Sequence, residues 1–508
     1  MNIWKEKEKN IVLHDEKMNI IESCVDRHSE KNPDKIAFVF ELDSKIIRLT
    51  YGQLQDKVNK FANLLKSLKI KENSRIFFFL PKIPEMYFGF LGAIKHGSIC
   101  VPLFEAFQSE GLELRLQRGE ADVLVTNKEL SKRLKNKIKS LKHILIVDDE
   151  KFKKQFEKQS SNFDIVLKNK KDTALMIFTS STAGTPVAGI EIPHYGLVHQ
   201  DFTARLVLDL KENDNYWCTS HPGWITGSVY GIIAPLSIGC TNFILEEHFK
   251  AKNWIDFFKK NKISVIYTAP TALRMLKSEI KKEDFKDVRN ICSVGEALTS
   301  GVFDFYRRLG VEINDTYWQT ETGALMIANT NAMKKKSGSM GKPIPGINAR
   351  IRDGMIEFEK PWPAMMIGIH NHEKMYKDYF YGKWFKTNDS ARIDNEGYFF
   401  FEGRKDDIIK TSGERVSPIE IESVLIKHPS VKESAVVGIP DEIKGQIIKA
   451  FIVLNKGFEE SDKLKDELMQ FVKKEYAGHS YPKIIQFMKD LPKNNSGKIM
   501  RIKLKEIK

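Results

Sequence analysis

The chain has little cysteine, and what it has is scattered. Cys24, Cys100, Cys218, Cys240 and Cys292 stand far apart, with no CxxC pair and no accompanying histidine cluster. That spacing argues against a disulfide framework or a zinc site and fits a reducing cytoplasm. No long apolar run is present either. The most apolar stretch, residues 76–104, is broken by Pro81-Lys82, Pro84-Glu85 and Lys95-His96, so no membrane span is expected. The opening MNIWKEKEKN has no apolar core of signal-peptide type. Internal repeats and low-complexity tracts are lacking. Positive charge is plentiful but not concentrated: the net +14 is spread over separate segments such as 5–9, 151–171 and 334–336, the first two with acids among the lysines. Without a compact basic helix or a nucleic-acid motif this reads as a lysine-rich surface. It would attract polyanionic small molecules modestly and gives no reason to expect a nucleic-acid partner.

What is present is the make-up of a folded protein, with 42% hydrophobic and 29% charged residues. At 508 residues two or more domains are expected. Short β-branched runs at 123–126, 144–147, 174–178 and 263–267 alternate with amphipathic stretches such as 59–69. That alternation implies α/β layers with mainly parallel sheets, whose ligands bind in loops after the strands. A boundary falls near 404. Beyond it a compact α+β unit is expected, with helices over 419–427 and 462–476 and strands over 434–438 and 450–454. Leu464, Leu468, Phe471 and Val472 give the second helix one apolar face.

Four segments carry chemistry. Phe178-Thr-Ser-Ser-Thr-Ala-Gly-Thr-Pro186 runs from a strand into a hydroxyl- and glycine-rich loop able to wrap a phosphate chain, although it is not a GxxxxGK[ST] loop. Asp315-Thr-Tyr-Trp-Gln-Thr-Glu-Thr-Gly323 sets the carboxylate of Glu321 among hydroxyls at a strand end, hard oxygen ligands of the kind Mg²⁺ takes. Gly403-Arg-Lys-Asp-Asp-Ile-Ile-Lys-Thr-Ser-Gly413 and Leu491-Pro-Lys-Asn-Asn-Ser-Gly-Lys498 follow in that order. Each alone could be an ordinary turn, strand end or basic tail. Their occurrence together, in this order, is the stronger signal.

Taken together these segments resemble the adenylate-forming superfamily of acyl-CoA synthetases, luciferases and peptide-synthetase adenylation domains, from about Asn19 to Arg501. Pro102-Leu-Phe-Glu-Ala-Phe107, Pro222-Gly-Trp-Ile-Thr-Gly227, Tyr267-Thr-Ala-Pro-Thr-Ala272 and Ser293-Val-Gly-Glu-Ala297 are similar to its acetyl-CoA synthetase branch, in the compact bacterial form. The resemblance implies a large N-terminal AMP-binding domain, residues 1–403, of layered α/β subdomains with parallel sheets and a small β-barrel-like part. A small mobile C-terminal α+β domain, 404–508, would turn about a hinge at 404–407, centred on Asp406.

The same resemblance implies roles residue by residue. Thr179, Ser180, Ser181, Thr182 and Gly184 belong to the phosphate loop. Gly295, Glu296 and Ala297 with Asp315, Thr316, Tyr317, Trp318 and Gln319 match the adenine pocket, Thr320 a phosphate contact and Glu321 the Mg²⁺ ligand. Asp389 matches the carboxylate on the ribose diol, since a carboxylate accepts two hydrogen bonds; Arg404 is its neighbour and Arg415 a further nucleotide contact. Lys498 matches the lysine that reaches the α-phosphate and the acid. Thr226, Ser412 and Gly413 match a CoA tunnel. Ile426, His428 and Val431 match a cation-binding turn of some relatives, with a plain helix-end histidine the other reading of His428. Ile225, Thr226, Val294 and Trp318 match the acyl pocket, where a bulky indole leaves room for one or two carbons beyond the carboxylate.

The expected activity is therefore AMP-forming ligation of acetate to CoA, with ATP and CoA as co-substrates and Mg²⁺ as cofactor. Propionate or another short or medium acid is the alternative. Acetylation of Lys498 would stop the first step, so an acetyltransferase and deacetylase are candidate partners; oligomeric state is left open. One segment departs from the pattern T-S-G-T-T-G-K-P-K-G: Ser181, Ala183, Thr185, Val187 and Ala188 replace five positions, and both lysines are gone. A second class of function, a slow relative that binds nucleotide or adenylate, stays open on that ground. His221 stands where an acid is common, and Asn388 replaces a glycine before Asp389, which asparagine tolerates because it adopts positive φ.

Overall fold

A computed structural model describes residues 3–42, 45–179, 188–247, 249–405, 407–411, 414–441, 445–475, 481–493 and 499–507, with backbone only at 410, 414 and 415. Two large sheets dominate. One has seven strands in the order Gly368–Ile369, Gly189–Pro193, Thr173–Phe178, Ile99–Leu103, Arg75–Phe79, Val123–Thr126, His143–Ile146. The last five run parallel to one another. The other has nine strands, of which Ile313–Tyr317, Asn290–Ser293, Val265–Thr268, Asn215–Cys218, Thr241–Glu246 and Ile36–Leu42 form the parallel centre. Val123–Thr126, Val265–Thr268 and Asn290–Ser293 are buried along their whole length. That is the pattern of strands covered by helices on both faces, and it is why the first two read as apolar, β-branched-rich runs.

The apolar stretch at 76–104 is one strand–helix–strand unit: Arg75–Phe79, Pro84–Lys95 and Ile99–Leu103. Its prolines punctuate it. Pro84 opens the helix, where a missing N–H costs nothing. Among the described residues no helix is long and apolar enough to cross a membrane. Thr50 and Gln53 cap the helix Tyr51–Ser67 reciprocally, at 3.2 and 3.1 Å.

The β-barrel-like part is a five-stranded antiparallel sheet built from Ala349–Arg352, Met355–Glu359, Phe380–Tyr381, Trp384–Ile393 and Phe399–Arg404. After it come the hairpin Ile409–Thr411/Glu414–Val416 and a three-stranded sheet of Val431–Asp441, Gly445–Leu454 and Ile484–Phe487. Helices Pro418–Leu425 and Asp462–Glu475 pack on that sheet. The two apolar clusters of this last segment draw only on residues 409–507. Leu464, Leu468 and Val472 point into one of them, with Phe471 half-buried at its margin. All five cysteines are buried thiols.

Candidate active site

The strand Ile313–Tyr317 is buried throughout and delivers its C-terminal end to a cavity of about 1190 Å³. The loop 318–323 follows. It can turn sharply because Gly323 lies at φ +68°, where a Cβ would sit 1.9 Å from the Ala364 carbonyl oxygen. The next parallel strand, Asn290–Ser293, ends at Val294 and Gly295, the latter at φ +93°. Consecutive parallel strands thus bring 293–297 and 315–321 side by side, as the carboxyl ends of such a sheet do.

Asp315 is buried and accepts a 2.5 Å hydrogen bond from Ser293 Oγ; burial nevertheless pushes its carboxyl up to about 7. Thr316 Oγ1 donates to the Ser293 carbonyl at 2.7 Å and meets the Tyr267 hydroxyl at 2.9 Å. Glu296 Oε1 accepts from Thr271 N at 2.7 Å, and Arg274 lies 3.6 Å from its other oxygen. Across the cavity, Asp389 Oδ2 accepts from Tyr317 Oη at 2.7 Å and Gln319 Nε2 at 2.6 Å, and Arg404 Nε stands 3.7 Å from Oδ1. Asp389 is aimed by the residue before it: Asn388 takes φ +59°, the positive angle expected of it. Opposed negative charge raises the Tyr317 phenol far above its usual range, after burial, the larger cause.

Glu321 takes a 2.9 Å hydrogen bond from Tyr379 Oη at Oε1, and burial holds its carboxyl above the ordinary range. A carboxylate so placed, next to Thr320 in the cavity lining, fits a hard cation that arrives with oxygen ligands of its own. Among the described residues no three His, Cys, Asp or Glu side chains are grouped to hold a metal by themselves.

Ile225, Thr226, Val294 and Trp318 line the same cavity, as do Thr179, Gly295, Glu296, Ala297, Gln319, Thr320 and Arg404. The indole of Trp318 is only 9% exposed and stands edge-to-face on Tyr230, ring centroids 5.1 Å apart at 89°. Of the three residues assigned to a cation-binding turn, Ile426 alone reaches the cavity. His428 bonds Ser430 Oγ through Nδ1 at 2.8 Å, faces Glu467 through Nε2 at 3.2 Å and packs on Phe471. Ser180, Ser181, Thr182, Gly184, Asp406, Ser412, Gly413 and Lys498 lie outside the described residues, as does the side chain of Arg415.

Three cavity residues were not singled out from the sequence. Tyr379 comes from a distant segment that carries no motif. Glu105 belongs to the quoted Pro102–Phe107 segment but looked like any loop acid; burial pushes its carboxyl up to about 7, and His221 Nε2 lies 3.7 Å from it. Lys82 shares that corner, and burial pulls its ammonium below the usual lysine range. His221 itself is a packed polar residue: its ring meets the Leu80 carbonyl at 3.0 Å and accepts from Gly223 N at 2.9 Å.

Comparison with known proteins agrees with this geometry. The family model of the AMP-binding enzyme matches residues 25–361, and that of the AMP-binding enzyme C-terminal domain matches 420–498. The chain is 41% identical to the acetyl-coenzyme A synthetase of Bacillus subtilis (strain 168), over 96% of this chain and 90% of that one. To the acetyl-coenzyme A synthetase of Methanothrix thermoacetophila it is 34% identical, covering 96% and 82%. Among solved structures, the anthranilate CoA ligase AuaEII in complex with anthranoyl-AMP superimposes with a TM-score of 0.89 at 25% identity, covering 97% of this chain and 98% of that one. The acyl-CoA synthetase of Brucella canis gives 0.76 at 29%, covering 99% and 96%. A cavity floored by two parallel strand ends, matches to both family models and relatives this similar lead to one placement: the chain belongs to the AMP-binding, adenylate-forming enzyme family, on its acetyl- and acyl-coenzyme A synthetase branch.

Proposed function

We propose that the chain is an AMP-forming acetate–CoA ligase. The observation that carries this reading is that Glu321, Asp389 and Trp318 line one cavity, so a cation ligand, a diol acceptor and an indole wall face a shared space. In the first half-reaction the acid's carboxylate attacks the α-phosphorus of ATP, pyrophosphate leaves and acetyl-AMP forms. In the second the CoA thiol attacks the acyl carbon and AMP leaves. Both reactants of the first step are anions, so alignment and charge neutralisation are the main obstacles.

Asp389 holds the ribose hydroxyls, with Tyr317 and Gln319 fixing its orientation. Gly295, Glu296, Ala297, Asp315 and Thr316 surround the adenine. Glu321 would hold Mg²⁺, which supplies positive charge against the phosphates. Thr179 opens the phosphate loop, and Lys498 reaches the α-phosphate and the acid. Residues 1–403 form the AMP-binding domain and 404–508 the mobile one. Rotation about Asp406 then withdraws Lys498 and admits the thiol along Thr226, Ser412 and Gly413, ordinary hinge behaviour. Ile426, His428 and Val431 remain the candidate cation-binding turn. An acetyltransferase and deacetylase acting on Lys498 would switch the first step, and the setting is the cytoplasm.

Trp318, Ile225 and Val294 close the acyl end, which favours acetate over propionate by the roughly 10–200-fold that one methylene is worth. A panel of acetate, propionate, butyrate and a medium-chain acid with ATP and CoA tests the reading. Acetate should give the highest kcat/KM and butyrate the lowest of the short acids. A preference for butyrate or longer contradicts the role given to Trp318. Binding of nucleotide with no turnover of any acid would favour the slow relative, for which the missing loop lysines are the specific reason.

A further inference from the structure

The indole of Trp318 does not hold its own position. Its far side meets Tyr230, which is fully buried and stands perpendicular to it, and Tyr230 in turn meets Tyr267 at 5.7 Å and 90°. Edge-to-face pairs of this kind have a preferred geometry, so one ring restrains the tilt of the other. Tyr230 is itself fastened at both ends. Its backbone carbonyl accepts from the Tyr216 hydroxyl at 2.8 Å. Its hydroxyl accepts from Leu325 N at 3.0 Å and lies 2.7 Å from Thr203 Oγ1. The Thr203 hydroxyl can donate to the His199 carbonyl at 2.9 Å, which leaves it free to accept from the tyrosine O–H. Every group in this chain of bonds is buried, where an unmade hydrogen bond is costly, so the arrangement is stiff.

The chain order adds to this. Tyr230 lies on the π-helical turn Val229–Ile233, directly after the short helix Ile225–Ser228 that contributes Ile225 and Thr226 to the cavity wall. Its hydroxyl also grips Leu325, just past the loop that carries Trp318, Thr320 and Glu321. One residue therefore ties two walls of the acyl end together from behind, without touching the cavity.

We propose that Tyr230 is a positioning residue that sets how far Trp318 closes the acyl pocket, and so fixes the chain length the pocket accepts. The inference rests on the reading of Trp318 as the pocket's end wall. With a smaller side chain at 230 the indole can retreat toward the vacated space, and a longer acid fits without any change in the cavity's own lining.

The test measures kcat/KM for acetate and butyrate by AMP release in the full chain and in Y230L, Y230F, W318G and Y230L/W318G. Y230L should raise the butyrate-to-acetate ratio about tenfold or more while the KM for ATP stays within about twofold. A merely structural role would lower both acids by a common factor and leave the ratio alone. In the W318G background, where there is no indole to restrain, Y230L should change the ratio by less than about twofold. An unmoved ratio in Y230L, or an equal shift with and without Trp318, overturns the proposal. Y230F keeps the ring but loses the bonds to Thr203 and Leu325, and should shift the ratio about threefold in the same direction. If Y230L does not fold, an unchanged ratio in Y230F overturns the proposal in its place. A wild type that prefers butyrate contradicts the acyl-pocket reading and this proposal with it. Acetate preference with an unmoved ratio contradicts the proposal alone.

Discussion

Asp389 shows how single residues divide the work of the site. Two neutral donors, Tyr317 and Gln319, converge on its Oδ2, and the Arg404 guanidinium stands 3.7 Å from Oδ1. Those two donors orient the carboxylate, which suits a group meant to accept hydrogen bonds from a ligand. A hydrogen bond to a charged group contributes about 1.5–3 kcal/mol, roughly tenfold or more in affinity. Asp389→Asn should therefore raise the KM for ATP about tenfold and leave the KM for acetate within about twofold. Steady-state kinetics with each substrate varied in turn decides it; a change confined to acetate would remove Asp389 from the nucleotide. Residues of this kind were legible because the segments that hold them resemble the family's motifs. Tyr379 and Tyr230 were not, because each acts through a partner far away in the sequence and resembles any core tyrosine.

At the scale of elements, agreement was best where a strand is buried on both faces. The run 123–126 is a strand with those bounds, since all four of its residues are buried in the sheet and three are β-branched. The run 263–267 became Val265–Thr268 because Lys262, at φ +47°, is still turning out of the helix Ala251–Lys260. The amphipathic stretch 59–69 proved to be the end of a longer helix, Tyr51–Ser67, whose first turn is fixed by its Thr50 cap and not by periodicity. The phosphate loop differs from the family pattern at five of its ten positions. Two cations are missing at 185 and 187. A lysine about 4 Å from a phosphate contributes roughly 1 kcal/mol even in water. Thr185→Lys should accordingly lower the KM for ATP about three- to tenfold with kcat for acetate no lower. An unchanged or raised KM would mean that the loop binds phosphate by backbone donors alone.

The whole molecule carries a pH signature unrelated to its substrate. Burial pushes His28 and His96 down to about 4, and His194, His199 and His221 down to about 3. In the unfolded chain each takes up a proton near 6.5. Their contribution to stability is therefore complete above about pH 6.5 and is lost as the pH falls toward 4 and 3. Glu105 and Asp315, both raised to about 7 by burial, act in the opposite sense: their contribution is complete below about 4 and lost as the pH rises through 7. Glu85, Glu321 and Glu422 are raised by burial as well and oppose the histidines over part of the window, so the Tm should drop between pH 6.5 and 4.5, less steeply than five histidines alone would give. Calorimetry at constant ionic strength checks it, and a Tm that holds or rises on acidification contradicts the assignment of these histidines as buried and neutral.

The central claim is that one cavity joins an acid, ATP and CoA through an adenylate. The direct measurement is AMP release by the full chain with ATP and Mg²⁺, with acetate and CoA supplied or withheld, beside a Lys498→Ala control. The account predicts release that needs both acetate and CoA and that falls at least about a hundredfold in the control. Release that is independent of acetate, or no greater than in Lys498→Ala, would contradict it.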